Sequence, residues 1–543
     1  MLTSKKAFEM IRISKKIAVV TLSLGSLFAC TDLDPKIKEF TTGEEYLQES
    51  AEALQEDFSL IDNFVEPIYS SLYQWNGERN IYALTEASSD EMVTPTRGTD
   101  WYDNGIWVAM HEHKWTPEIS IIANGWNDIS SGVARCYEVY INLTNMSAED
   151  PNFRADLEPY LAEVRVMRAY YMWQYIDMFG VLPFLDDNLN PDVLNRQDGT
   201  AFIIEELEEA IPMMKKKSEL PYGRACKQTA QALLAKVYLN RFIYEDRAAT
   251  ADDMDQVIAH CDAVINTGEY SLGSDYFSMF DSDNESSPET LLTLQNSGEV
   301  GRGFDSQAHT FMTLHYTQSV NNGQPWNGMC VPPTFFYKWD TDGNPNNGVQ
   351  TTDSRFQDDR YFDETGLHLG FLFGQQVDRD GANLEDRVGN PLVFTPEIDA
   401  ITAAGEAQGV RVVKWAPDET AAIPQWMNND VALIRYADVI LMKGEALWRK
   451  GDDAGAMTLI NQVKTARGAA NITSIAASGQ EILDERGFEF YWEGHRRTDL
   501  IRFDVFTKGT WWAKEVSDEY RKIYPIPVTA LSANENLVQN PGY

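Results

Sequence analysis

The sequence predicts a mostly helical protein in which tetratricopeptide-like helix pairs form a scaffold around a large loop-rich, short-strand insertion. Three observations carry that expectation. Apolar residues recur at three- and four-residue steps along several long segments on both sides of the chain's middle. Small residues stand where such helices would touch, as at Ala232 and Ala235. Between about 270 and 429 the texture changes to Gly, Asn, Asp and Pro with short aromatic runs and no sustained period, the texture of binding loops.

The first element is an export signal. Lys5, Lys6, Arg12, Lys15 and Lys16 precede residues 17–29, which are apolar or small throughout. That run has 13 residues, short of the roughly 20 that a membrane-crossing helix needs, so residues 1–29 read as a removable leader. Met10 serves as a start as well as Met1, because the signal is complete without the first nine residues. Leu27, Phe28, Ala29 and Cys30 resemble the bacterial lipobox, which implies cleavage before Cys30 and its acylation. Residues 30–50 then form the lipidated cysteine and a polar, acidic tether.

A single domain is expected over 51–543, with its scaffold in 51–268 and 430–543. Helical patterns cover 52–75, 119–146, 157–179, 200–214, 228–245, 252–267, 430–450, 453–467 and 480–503. In 157–179, Leu157, Tyr160, Leu161, Val164, Met167 and Tyr171 make one apolar stripe, which Gly180 and Pro183 stop.

Composition excludes some functions. The 543-residue chain carries a formal charge of −38, so nucleic acid, which needs clustered positive charge, is not an expected partner. Cys136, Cys226, Cys261 and Cys330 are widely spaced without any CxxC and lack zinc spacing, so buried free thiols are expected, with one disulfide as the alternative outside the cytoplasm. No GxSxG, HExxH or P-loop occurs. His111-Glu112-His113 offers two imidazoles at strand spacing, but hydrogen-bonded histidines are the preferred reading. Asp340-Thr341-Asp342-Gly343-Asn344 departs from an EF-hand, with its glycine early and Thr351 in place of the bidentate glutamate. A structural calcium there would need help from Asp353; no other cofactor is expected.

The densest chemistry is RGTDWYDNGIW (97–107). Gly98 and Gly105 bracket Trp101 and Tyr102, which places both aromatics on a loop. An indole can cover the C–H face of a sugar ring while Asn104, Arg97 and Asp100 bond its hydroxyls. Trp107, Trp115 and Trp126 adjoin apolar residues and are assigned to the core. Three aromatic contacts and a few hydrogen bonds, less the cost of association, leave about −4 to −5 kcal/mol, a Kd on the order of a millimolar. Such an affinity suits capture followed by release.

The segments VALIRYADVILMKGEALWRKG (431–451), NQVKTARGAA (461–470), ILDERGFEFYWEGHRRTDLIRF (482–503) and YPIPVTALSANENLVQNPGY (524–543) resemble the SusD/RagB family of Bacteroidetes surface lipoproteins. AEVRVMRAYYMWQYIDMFGVLPF (162–184) and EMVTPTRGTDWYDNGIW (91–107) are similar to family segments in the same order. The resemblance implies four tetratricopeptide-like helix pairs, an outer-membrane, cell-surface address, and a SusC-like TonB-dependent transporter as partner. It also implies a sugar-binding tryptophan and asparagine at Trp101 and Asn104 and a second aromatic at Trp326 in NNGQPWNGMC (321–330), with Phe304 or Tyr316 completing the arc. Arg435, Glu445, Arg486, Glu489, Glu493, Arg496, Arg497 and Asp499 are expected to pair structurally. The expected function is a non-enzymatic, lipid-anchored protein that captures oligosaccharides; the alternatives are RagB-like oligopeptide capture and a surface glycosidase.

Overall fold

The computed structural model describes residues 43–148, 150–186, 189–297, 308–344 and 348–543. The leader, Cys30, most of the tether and Phe304 lie outside these residues. The chain divides into two compact units, one ending at Leu60 and the other running from Ile61 to Tyr543. In the first, helix Gly43–Glu56 is followed by a 3-10 turn, Phe58–Leu60. Asp57 joins them by accepting from the backbone N–H and hydroxyl of Ser59 at 3.1 and 2.6 Å.

In the second unit, Ser120–Met146 packs along Pro151–Phe179, Lys227–Tyr244 along Ala251–Ile265, and Tyr436–Arg449 along Asp453–Ala466. Arg196–Ala210 touches both Pro151–Phe179 and Lys227–Tyr244, and Ala251–Ile265 touches Tyr436–Arg449, so the pairs run on into one helical scaffold. Local chemistry sets the ends. Asp150 caps the second helix by accepting from the N–H groups of Asn152 and Phe153 at 2.9 and 3.2 Å, and Pro151 occupies its first position. Gly180 closes it in the left-handed region at φ 69°. Close approach of the first two helices depends on Gly132, where a Cβ would stand 2.5 Å from the Tyr171 ring.

The structure differs from the sequence expectation in three places. The expected 52–75 helix ends at Glu56, and Ile61–Val65 gives way to a 3-10 stretch, Glu66–Asn76, that opens with Pro67 near its start. Val431–Arg435, expected as helix, is a strand antiparallel to Thr290–Leu294, and the helix starts at Tyr436. The expected 480–503 helix breaks into Gln480–Phe490 and Arg496–Arg502, because Trp492 and Gly494 take φ values of 61° and 82°. The 270–429 region holds short strands and turns as expected, including a three-stranded sheet with 369–372 between 357–358 and 411–413.

The expected ion pairs are the interior of the molecule. Fully buried Glu489 accepts from Arg355, Arg435 and Arg467 at 2.8–3.0 Å, and Arg435 also holds Glu289 and Glu493. Arg486 pairs with Asp499, Arg497 with Asp177, Arg496 with Asp90, and Glu445 with Arg502. Charges can lie this deep only because each meets opposite charge at hydrogen-bond distance. The tail is also docked: Asn540 donates to the carbonyls of Phe179 and Tyr524 at 2.8 and 2.7 Å.

Candidate functional site

The loop 97–105 is built from left-handed backbone. Arg97 and Asp100 exchange two backbone hydrogen bonds at 2.9 and 3.0 Å across Gly98 and Thr99, which makes a tight reversal. Beyond it, Trp101, Asp103 and Asn104 have φ values of 59°, 39° and 57°, and Gly105 has 78°. Three non-glycine residues in this region within four positions are rare, and such strain is held in place only by its surroundings. Those surroundings are visible. The carboxylate of Asp103 accepts from the Trp107 indole N–H at 2.8 Å and from Arg79 at 2.9 Å. Trp107 is buried and stands edge-to-face with Trp101, centroids 5.6 Å apart.

Segment 326–329 forms the other half. Its backbone N–H groups donate to the carbonyls of Phe311, Met312 and Leu314 at 2.7–3.0 Å, and Asn327 turns at φ 51°. The Trp101 indole N–H donates to the Trp326 carbonyl at 2.8 Å. The ring plane also covers Gly328 so closely that a Cβ there would lie 2.3 Å from Trp101 Cε2. Phe311 backs the Trp326 ring, centroids 6.1 Å apart. Both tryptophans are half-buried.

A polar rim closes the platform. Tyr316 donates to Asp100 at 2.6 Å, and Arg387 lies over the Tyr316 ring at 4.0 Å while donating to Asp100 at 2.9 Å. Arg387 also pairs with Glu406, whose other neighbour is His315, 3.1 Å away. Burial pushes Glu406 up, but Arg387 and His315 pull it further the other way, and its pKa falls below the usual carboxylate value.

The structure therefore brings together Trp101, Tyr102, Asn104, Asp100 and Trp326, with Tyr102 57% exposed and Asn104 exposed. Arg97 is the correction. It is 2% exposed and donates downward to the Gly405 carbonyl and toward Cys330 Sγ, so it braces the loop from beneath instead of facing a ligand. Arg387, Glu406 and Gly328 adjoin these residues and escaped sequence reasoning. Nothing in the sequence marks Arg387, because its partner Asp100 is 287 positions away. For Gly328 the neighbouring Trp326 and Asn327 were the available signal.

Other candidates are used up structurally. His111 ends a short helix, Ile106–His111, and lies 2.8 Å from the Trp512 carbonyl; His113 is 2.8 Å from the Ser88 carbonyl and 3.0 Å from Ser517 Oγ. Both are buried and neither lies on a strand. Asp353 pairs with Arg355 at 2.6 Å. Among the described residues no group of three potential ligands converges on a metal position. Cys136, Cys226, Cys261 and Cys330 are buried and free, and Trp107, Trp115 and Trp126 are in the core. No described helix is long and apolar enough to cross a membrane.

The SusD family model matches residues 288–543. The chain is 27% identical over 508 residues to the starch-binding protein SusD of Bacteroides thetaiotaomicron, covering 87% of each. It is 23% identical to SusD-like protein P25 of Formosa agariphila, covering 92% of this chain and 96% of that one. Among solved structures it resembles a SusD superfamily protein from Parabacteroides distasonis, with TM-score 0.69, 19% identity, and coverage of 91% and 99%. It also resembles surface glycan-binding protein A from Bacteroides thetaiotaomicron in complex with laminarihexaose, with TM-score 0.66, 20% identity, and coverage of 89% and 99%.

Proposed function

We propose that this chain, whose residues 288–543 belong to the SusD family, captures oligosaccharides at the cell surface and hands them to a TonB-dependent outer-membrane transporter, anchored through Cys30. The observation that carries the reading is the strained loop holding the Trp101 indole against the Trp326 backbone, beside exposed Tyr102 and Asn104. Strain of this kind persists where a side chain must be presented in one orientation. Flat apolar faces ringed by hydrogen-bonding groups suit sugar rings. Two relatives are named for this kind of ligand, one as starch-binding and one in complex with laminarihexaose. The site is poorly disposed to hydrolyse. Glycosidic cleavage needs one carboxyl group with a raised pKa, whereas Arg387 grips both Asp100 and Glu406 and holds Glu406 below its usual value.

Native affinity gels containing starch, laminarin or other glycans test this directly. The wild-type chain is expected to be retarded by at least one glycan without releasing reducing ends. Trp101→Ala and Trp326→Ala, with unchanged circular dichroism, should each lose most of the retardation, since one aromatic contact contributes about 1.5–2 kcal/mol, more than tenfold in Kd. Normal retardation of both variants would refute the site assignment.

A further inference from the structure

A second concavity, sharing no residue with the platform, opens between the Glu66–Asn76 segment, the loop at 221–224 and the end of strand Thr290–Leu294. Its volume of about 590 Å³ falls in the range of pockets that enclose small ligands, roughly 300–1,000 Å³. Tyr69, Tyr73, Tyr222, Pro67, Pro221 and Leu294 supply its apolar surfaces. Ser70, Asn63 and Gln295 add hydrogen-bonding groups to the lining.

The walls are preorganised. The Tyr69 hydroxyl donates to Glu163 and accepts from the Ala225 N–H at 2.8 Å, so that ring cannot turn away. Gly223, at φ 82°, packs the loop flush against Gln295, where a Cβ would stand 2.4 Å from Cδ. The charges in the lining are largely neutralised from within. Arg224 binds Asp62 and Glu163, each at 2.6 Å, and Arg135 binds Glu138 at 2.6 Å. What remains is Glu66 on the exposed side, in a chain of net charge −38. An anionic ligand would find Arg224 already held by two carboxylates, only the exposed Arg135 beside Glu138, and a repulsive surrounding. Tyrosine faces with scattered hydroxyl and amide partners instead match a neutral polyhydroxylated ring.

We propose that this cavity is a second saccharide subsite that takes neutral sugar rings, so that one long polysaccharide is gripped at two points. The proposal rests on the glycan-capture reading and extends it, because linking two weak sites raises retention of a polymer without raising affinity for a short oligomer.

Wild type, Tyr73→Ala, Tyr222→Ala and the rescue variant Tyr73→Phe are compared with two kinds of probe: laminarin and amylopectin in affinity gels, and laminarihexaose and maltohexaose by calorimetry. With the platform intact, the two alanine variants should lose about tenfold in polymer retention. Their hexasaccharide affinity should stay within about twofold and Tyr73→Phe should behave as wild type. Saturation-transfer NMR on Trp101→Ala/Trp326→Ala should still detect the hexasaccharide, and adding Tyr73→Ala should abolish that signal. Unchanged polymer retention in folded Tyr73→Ala and Tyr222→Ala, while wild type binds, would overturn the subsite alone. Failure of wild type to bind any glycan of a broad panel would overturn the capture reading and the subsite with it.

Discussion

Gly328 shows how much of the site rests on an absent side chain. The indole of Trp101 lies against its backbone, and a Cβ would intrude to 2.3 Å from the ring. Gly328→Ala is therefore expected to dislodge Trp101 and weaken glycan retention about as much as Trp101→Ala, at least tenfold. The melting temperature should change less than for a fully buried tryptophan, because Trp101 is only partly buried; affinity gels paired with thermal melts check both. The loop position of Trp101, Tyr102 and Asn104 was legible in the sequence because aromatics set among polar residues and bracketed by glycines have no core to enter. Arg97 was misread because its direction depends on the Gly405 carbonyl, 308 positions away. The sequence shows which groups a residue carries, and long-range contacts decide where they point.

Among the elements, the long helices were the most legible, since their apolar periodicity and end signals act locally. The helix expected at 157–179 runs as Pro151–Phe179, ending at Gly180 as its stop signal requires. Its start was missed, although Asp150 and Pro151 are recognisable cap residues. Asp150→Ala is expected to lower stability by about 1 kcal/mol, the usual cost of losing an N-cap, measured by denaturant unfolding; a loss near zero would mean that packing alone holds that end. The strand Val431–Arg435 was illegible for a different reason. A short apolar run has no period of its own, and its pairing partner, Thr290–Leu294, lies far off in the chain.

At the scale of the whole molecule, buried charge sets the response to pH. Burial pushes Glu445 up, but Arg502 and Arg449 pull it down further, to about 2. Glu489 is likewise driven well below its usual value, by Arg467, Arg435 and Arg355. Such depressed carboxylates add stability above their unfolded pKa, near 4.3, and that stability is lost as pH falls through the folded values. Glu86 acts in the opposite sense. Burial raises it to about 7 despite the Gly494 N–H and Lys414, so its contribution is complete below about 4.3 and vanishes as pH rises through 7. Burial also lowers His113, His309 and His495, whose contributions grow as pH rises toward about 6.5 and so oppose that of Glu86 over this range. Relative to wild type, Glu86→Gln should raise the melting temperature at pH 8 more than at pH 5; an equal change at both would show that Glu86 does not titrate in this range.

By itself the sequence determined a helical scaffold, an aromatic loop at 97–105 and a net charge of −38, because periodicity, turn residues and net charge are local or additive properties. Only the tertiary structure decided that Trp101 leans on Trp326 and Gly328, that Arg387 reaches over Tyr316 to Asp100, and that three tyrosines wall a second cavity. Those arrangements join residues from distant parts of the chain, and it is packing, not sequence proximity, that sets which groups meet.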